Sequence, residues 1–403
     1  MSRSGKFWLA GRSAAALGQI GVDAFSEAAN LALPRTREQL ARPAALNALL
    51  RKHPGPAGRR LARLKDVSLP GVDFESSNCT NFLIDLAFEG QGDQPRSAYV
   101  KLPCDELTTR VFAYAMGFWQ LECLFCERIA DLLPIRVPAV YAAVHRGSRF
   151  VLVLENVHEL PGAKLFINRD MAAGTSVERA RRVLTMFAEL HARFFGLDAR
   201  SREQLIPASM HSFLSPRRRA MARSLHVAAI EACHRKAPDR FDAELAAISR
   251  RAVGEKWDAL GETWYSGPLT LIHGDSHLGN VFEYQSDEGP KLGMLDFQAV
   301  QWSKGIRDVQ YFLINSLDPE LLAAHESALV DHYIDALAAH GVVLDPAETR
   351  NQYRAFSFQT LTTAVVAFGL GSLTERSATL DAVLDRSVAA TRRLEFGTWL
   401  DSL

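Results

Sequence analysis

The chain runs to 403 residues and balances 46 basic against 46 acidic side chains, for a formal net charge of zero and an isoelectric point near 7.2. That balance supplies no overall field to draw in nucleic acid or an anionic membrane, and argues against both as partners. With 48% hydrophobic residues, the length suffices for two or three domain-sized units around a sizeable core. Five cysteines, at 79, 104, 123, 126 and 233, are odd in number and scattered; they form no disulfide framework and imply a reducing compartment, the cytoplasm. No run of about twenty apolar residues offers a transmembrane helix, so integral membrane insertion is not expected.

Residues 1–70 carry more basic than acidic groups. Within them Phe7 to Leu33 is Ala-rich and amphipathic, but Arg12, Gln19, Asp23 and Glu27 deny it the apolar centre of a secretory signal. A helix packed on the body of the protein is expected there, with a membrane-surface helix as the alternative. Pro54-Gly55-Pro56-Ala57-Gly58 and Pro70-Gly71 punctuate the chain. They predict a boundary near 70, after a helical N-terminal extension.

Apolar residues alternate at Phe82, Ile84 and Leu86, and Ser97 to Leu102 is also β-prone, with Gly90 to Pro95 as a turn between them. This pattern predicts a hairpin, with Lys101 near the end of its second strand. Phe118 to Ala130 reads as a helix that carries Glu122. Cys123 and Cys126 lie in the same helix among Trp119, Leu121 and Phe125, as two small core residues rather than a metal or redox pair. Pro134 to Ala142 and Ser148 to Leu154 predict further strands, the second leading into Glu155-Asn156-Val157. Beyond 175 the pattern turns helical, with Val183, Leu184, Phe187, Leu190 and His191 on one face. Residues 196–265 are basic, with Arg217, Arg218, Arg219, Arg223, Arg235 and Lys236 among apolar residues such as Phe213 and Leu214.

The most informative stretch comes next. His273-Gly274-Asp275-Ser276-His277-Leu278-Gly279-Asn280 follows the β-prone run Leu269 to Ile272 and precedes Val281 to Tyr284. A turn over 285–291 and a strand over Leu292 to Leu295 then deliver Asp296-Phe297-Gln298. Two carboxylates thus emerge at neighbouring strand ends. Asp275 and Asn280 keep the interval of a kinase catalytic loop, and Asp296 stands where a second metal-binding carboxylate belongs. Phosphoryl transfer from ATP needs a carboxylate to orient the attacking hydroxyl and oxygen ligands for magnesium. Asp275 answers the first need; Asn280 and Asp296 answer the second.

These motifs resemble those of the aminoglycoside phosphotransferase and choline kinase-like superfamily, and most of all its ecdysteroid kinase-like branch and bacterial relatives. The resemblance runs from about residue 71 to the C-terminus. It implies an α+β, protein-kinase-like fold of two lobes: a small β-rich N-lobe over 71–155 and a large, mainly helical C-lobe over 156–403. By the same resemblance, Lys101 contacts the ATP phosphates and pairs with Glu122, while adenine meets main-chain atoms near Glu155 and Val157. His273 braces the loop, as does the family's structural Asp, matched here by Asp308 of Gly305-Ile306-Arg307-Asp308. His191, in Leu190-His191-Ala192-Arg193-Phe194, is expected to be packed rather than catalytic. The loop that covers the nucleotide reads Glu75-Ser76-Ser77-Asn78-Cys79 without glycine, so Ser76, Ser77 and Asn78 replace the usual backbone contacts. The implied activity is that of an ATP- and Mg2+-dependent kinase acting on a small-molecule hydroxyl. The basic stretch 196–265 favours a neutral or anionic acceptor over a polycationic one. Competing readings are a catalytically silent nucleotide-binding module and an aminoglycoside kinase. A protein kinase fits less well, because no Ala-Pro-Glu segment follows Asp296.

Overall fold

Phe82 and Ile84, fully buried on one side of their strand, belong to an antiparallel sheet in the computed structural model. It describes residues 33–74, 79–90, 92–211, 213–370 and 378–403, with isolated positions between 15 and 22. Most of the helix expected over Phe7 to Leu33 lies outside the described residues.

The first lobe holds helices α1 (Arg37–Leu40) and α2 (Pro43–Lys52), strands β1 (Leu64–Ser68), β2 (Asp73–Phe74), β3 (Cys79–Phe88) and β4 (Ser97–Pro103), helices α3 (Leu107–Met116) and α4 (Phe118–Arg128), and strands β5 (Val140–Arg146) and β6 (Arg149–Glu155). Its sheet runs β1-β3-β4-β6-β5, with β2 on β3. The expected hairpin is β3 and β4, in register from Cys79 opposite Pro103 to Asp85 opposite Ser97.

The boundary expected near 70 falls inside this sheet. β1 pairs with β3, placing Leu64 opposite Phe88 and Val67 opposite Leu86. Leu40, Leu46 and Leu49 share one core with Ile84, Val100 and Val151. The Pro-Gly cluster therefore marks a close approach rather than a linker. A Cβ on Gly55 would stand 2.3 Å from the Val140 carbonyl oxygen, and one on Gly58 only 1.9 Å from that of Tyr141, so only glycine lets the chain lie against β5. β5 itself starts later than expected, at Val140. Pro134 and Pro138 have no N–H for a ladder, and Arg136 turns away to bridge Gly293 in the other lobe.

The second lobe contains β7 (Lys164–Leu165), α5 (Asn168–Ala173), α6 (Val177–Phe194), α7 (Ala199–Leu205), α8 (Pro216–Lys236), α9 (Ala243–Gly254), α10 (Trp257–Tyr265), β8 (Thr270–Ile272), β9 (Val281–Ser286), β10 (Gly289–Met294), β11 (Gln301–Ser303), α11 (Ile306–Ser316), α12 (Pro319–Ala339), α13 (Pro346–Leu370), α14 (Ala378–Arg393) and α15 (Phe396–Asp401). Two small sheets interrupt the helices, β10-β9-β7 and β11-β8. The turn expected over 285–291 shrinks to Asp287 and Glu288, because the ladder between β9 and β10 continues to Ser286 opposite Gly289.

The apolar face of α6 is buried as its spacing predicts, with Val183, Leu184, Phe187 and Leu190 at zero exposure. Phe187 meets Phe312 of α11 edge to face at 5.8 Å. All eleven residues of α11 are buried, polar ones included, and those polar side chains shape the loop described next. The architecture is the expected one of a small β-rich lobe on a large helical lobe.

Candidate active site

The loop after β8 is laid along the first turns of α11. Gly274 has φ +84°, and a Cβ there would stand 2.0 Å from the Ala299 carbonyl oxygen; the position requires glycine. Asp308, with no exposed surface, accepts from the backbone N–H of His273 at 2.7 Å and of Gly274 at 3.0 Å. Its backbone carbonyl accepts from the Ser276 hydroxyl at 2.9 Å, and the Ser316 hydroxyl accepts from Leu278 N–H at 3.0 Å. Burial alone would raise the Asp308 carboxyl, but the hydrogen bond from His191 and the nearby charges hold it at about 2. His191 is packed as expected, 2.8 Å from the Tyr333 hydroxyl through Nδ1 and 3.3 Å from Asp308 through Nε2.

His273 joins this loop to the strand that carries Asp296. Its Nε2 donates to the Leu295 carbonyl at 2.7 Å, and its Nδ1 accepts from Asp275 N–H at 3.2 Å. Burial depresses its pKa, which suits a neutral imidazole with one donor and one acceptor nitrogen.

Asp275 and Asn280 lie together at the end of this loop. The Asn280 amide nitrogen donates to the Asp275 backbone carbonyl at 2.8 Å, which leaves the amide oxygen as the atom to offer a cation. The Asp275 carboxylate, partly exposed, accepts from the Tyr311 hydroxyl at 3.1 Å through Oδ1, and its Oδ2 lies 3.6 Å from His277 Nε2. Burial would raise this carboxyl; His277, His273 and Tyr311 outweigh burial and hold it well below the usual carboxylate range. His277 moves the opposite way. Burial lowers it, but Asp275 and Asp296 together raise it above the ordinary imidazole value.

Lys101 crosses from the first lobe to meet this group. Its Nζ is 2.6 Å from Glu122 Oε1 and 3.1 Å from Asp296 Oδ1, with Lys101 6% and Glu122 3% exposed. Burial opposes the charge on Lys101, yet Asp296 and Glu122 raise its pKa well above the ordinary lysine value. Asp296 adopts φ +62°, a left-handed conformation that Asp tolerates better than most side chains. The next residue anchors it: Phe297 stacks on Phe125 at 3.9 Å and 5° and lies 4.5 Å from the His273 ring. Helix α4 thus supplies Glu122 to the lysine and, one turn on, Phe125 to the segment that bears Asp296. Asp296 Oδ2 and Asn280 Oδ1 are hard oxygen donors of the kind magnesium takes beside phosphate oxygens, so the donor set fits that ion.

Lys101→Ala should raise the KM for ATP and lower kcat, and Glu122→Ala should do the same by a smaller factor through release of Lys101. ADP release across an ATP titration measures both; a larger loss for Glu122→Ala would contradict the hierarchy. Lys101→Ala strands the buried Glu122 carboxylate at a cost of about 3–5 kcal/mol, whereas Glu122→Ala leaves Lys101 its Asp296 partner, so thermal melts must accompany the kinetics.

A family model described as the ecdysteroid kinase-like family matches residues 121–345, more than half of the chain. The chain belongs to the ecdysteroid kinase-like family. Solved structures of similar architecture include an ethanolamine kinase of Plasmodium vivax, at 10% identity and a TM-score of 0.48 over 80% of this chain and 82% of that one. A Ralstonia eutropha JMP134 protein described as an aminoglycoside phosphotransferase gives 13%, 0.47, 88% and 98%, and a choline kinase of Cryptosporidium parvum Iowa II gives 11%, 0.43, 89% and 95%. No curated protein matches the chain.

In this ecdysteroid kinase-like chain the other expected nucleotide contacts fare differently. Ser76, Ser77 and Asn78 lie outside the described residues. The Glu155 side chain is occupied: Arg136 grips its carboxylate, and Ala139 N–H donates to it at 2.9 Å. Glu155 N–H donates to the Ala139 carbonyl at 2.8 Å, and the Val157 carbonyl accepts from Leu160 N–H at 3.2 Å. Cys123 and Cys126 are buried in α4 and unpaired. Among the described residues no group of three or more His, Cys, Asp or Glu forms a metal cluster, and no helix is long and apolar enough to cross a membrane.

Two residues of the site escaped the sequence reading. Tyr311 contacts the Asp275 carboxylate, and Arg307 donates to the Gly274 carbonyl. Their signal was present in spacing: Arg307, Asp308 and Tyr311 occupy the first turns of one helix at i, i+1 and i+4, within reach of a single loop. Apolar neighbours made Tyr311 resemble a core residue.

The basic stretch 196–265 is also not what its composition suggests. Arg218 donates to the Met116 carbonyl at 2.9 Å, Arg223 to that of Val253 at 2.7 Å, and Lys236 to that of Gly369 at 2.8 Å. Arg219 lies 3.5 Å from Asp258. These four cations tie helices together, whereas Arg217 and Arg235 stay exposed.

Proposed function

We propose that this chain is a phosphotransferase that moves the γ-phosphoryl group of ATP, with magnesium, to the hydroxyl group of a small molecule in the cytoplasm. The observation that carries this reading is the convergence of Lys101, Glu122 and Asp296 beside a loop in which Asp275 and Asn280 are hydrogen-bonded. Five unpaired cysteines are in keeping with a reducing compartment.

Each side chain has a distinct task. Asp275 orients the acceptor hydroxyl and takes its proton; with its carboxyl held low, its weight falls on positioning rather than on strong basicity. Lys101, fixed by Glu122, holds the phosphate tail. Asn280 Oδ1 and Asp296 would hold the metal, which when bound offsets charge on the phosphate oxygens. His273 and Asp308 keep the loop in shape.

For the acceptor we propose a neutral or anionic alcohol. Four of the insertion's six named cations are taken up between helices, so they argue for this less than the composition does. The insertion's carboxylates argue for it, because several are already engaged: Asp258 with Arg219, Glu231 with Arg250 and Asp242 with Arg392, leaving fewer to hold ammonium groups. A coupled ADP-release screen, with and without magnesium, should cover steroids, hydroxy acids and their CoA esters, sugars, choline and kanamycin. A magnesium-dependent response to an uncharged or acidic alcohol is expected. Kanamycin as the best acceptor would defeat the acceptor class, and magnesium-dependent nucleotide binding without any turnover would favour the silent module.

A further inference from the structure

We infer that Tyr311 is a positioning residue for the transfer: its hydroxyl fixes Oδ1 of Asp275, so that Oδ2 is the oxygen presented to the acceptor. The inference rests on the reading of Asp275 as the base.

The argument starts from a torsion. The terminal torsion of an aspartate is broad and roughly two-fold, so a carboxylate with no directional partner presents either oxygen. Here the two oxygens differ. Oδ1 receives the Tyr311 hydroxyl at 3.1 Å. Oδ2 has only longer neighbours, His277 Nε2 at 3.6 Å and Asn280 Nδ2 at 3.4 Å, and the Asn280 nitrogen has its shorter bond to the Asp275 carbonyl. The Tyr311 contact, the nearest of the three, therefore breaks the symmetry and leaves Oδ2 the freer atom.

The tyrosine is itself held. It is 6% exposed and sits one turn after Arg307 on α11, whose guanidinium lies 4.8 Å from the ring centroid. Arg307 also donates to the Gly274 carbonyl, so ring and loop are tied to the same side chain. Burial raises the Tyr311 phenol well above its ordinary value, and Asp275 adds to the effect while Arg307 opposes it. The charged groups around the phenol are Asp275 on the loop, and Arg307 and Asp308 on its own helix. The phenol thus remains a donor throughout the neutral range.

The test uses the full chain. 3,5-Difluorotyrosine at position 311 keeps the size of the ring and brings phenol ionisation into a range that 19F NMR can follow. In the otherwise unchanged protein its ionisation should lie above that of the free amino acid, and in the Asp275→Asn background it should fall by about one pH unit or more. In parallel, Tyr311→Phe should lower ADP release from Mg·ATP, with water as acceptor, about tenfold, without a comparable loss of Mg·ADP affinity. Combined with Asp275→Asn it should add no further loss, as expected of two groups that act as a unit. A phenol that ionises at the same pH in both backgrounds, or a Tyr311→Phe loss of equal size in both, overturns the inference. If Asp275→Asn leaves ADP release unchanged, the base reading fails, while the fluorine titration separately reports whether the contact exists. If Tyr311→Phe does not fold, the difluorotyrosine protein still decides.

Discussion

Asp275→Asn should lower phosphoryl transfer by about three orders of magnitude, the middle of the range for loss of a positioned acid–base group, while nucleotide affinity stays within a few-fold. The two effects separate because of where the side chain sits. Asn matches Asp in size, and its amide oxygen can still accept from the Tyr311 hydroxyl, so the loop should keep its shape. The contacts to Lys101 run through Glu122 and Asp296, and neither is altered. On the proposed reading, what is lost is the proton acceptor and its negative charge opposite the acceptor hydroxyl. Coupled ADP release with an acceptor from the screen measures the first effect, and calorimetry with Mg·ADP the second. Turnover near that of the unaltered protein would remove Asp275 from the base role.

The parts of this site that were readable in the chain are those where chemistry imposes an order. A strand with Lys101, a helix with Glu122, a loop with Asp275 and Asn280, and a strand end with Asp296 can be recognised in succession, because the proposed phosphate and metal contacts need all of them. The hairpin β3–β4 was likewise readable, since Phe82 and Ile84 alternate on a half-buried surface. The start of the first lobe was not. Prolines and glycines at 54–58 look the same in sequence whether they loosen a linker or let two segments approach closely, and only the packing of Gly55 and Gly58 on β5 distinguishes the two. Charge misled in a similar way. Arg218 and Arg223 contribute to the composition as a positive surface would, yet their guanidinium groups end on carbonyls at helix termini, where cations are favoured. Tyr311 was hidden because the same residue type, buried in the same helix, serves equally well as core.

Among the contacts that join the two lobes is a side-chain pair far apart in sequence, Lys101 with Asp296 at a separation of 195 residues, and this pair sets the second large expectation. Asp296→Ala should slow turnover about a hundredfold or more, since a metal-held charge supplies several kcal/mol to such a transition state. It should also abolish most of the magnesium dependence of nucleotide binding, which Asp275→Asn should leave intact. The φ of +62° at this position complicates a simple truncation, because alanine suits the left-handed region less well than aspartate. Asp296→Asn controls for that: it keeps the shape and the conformational tolerance and removes only the charge. If the charge is what matters, the Asn and Ala proteins should both lose the magnesium dependence, with the Ala protein additionally less stable to heat. In both, Lys101 keeps Glu122 as its partner at 2.6 Å, so nucleotide binding without metal should survive. Calorimetry with ADP across a magnesium series decides the matter, and a dependence unchanged in both variants would show that the ion is held elsewhere.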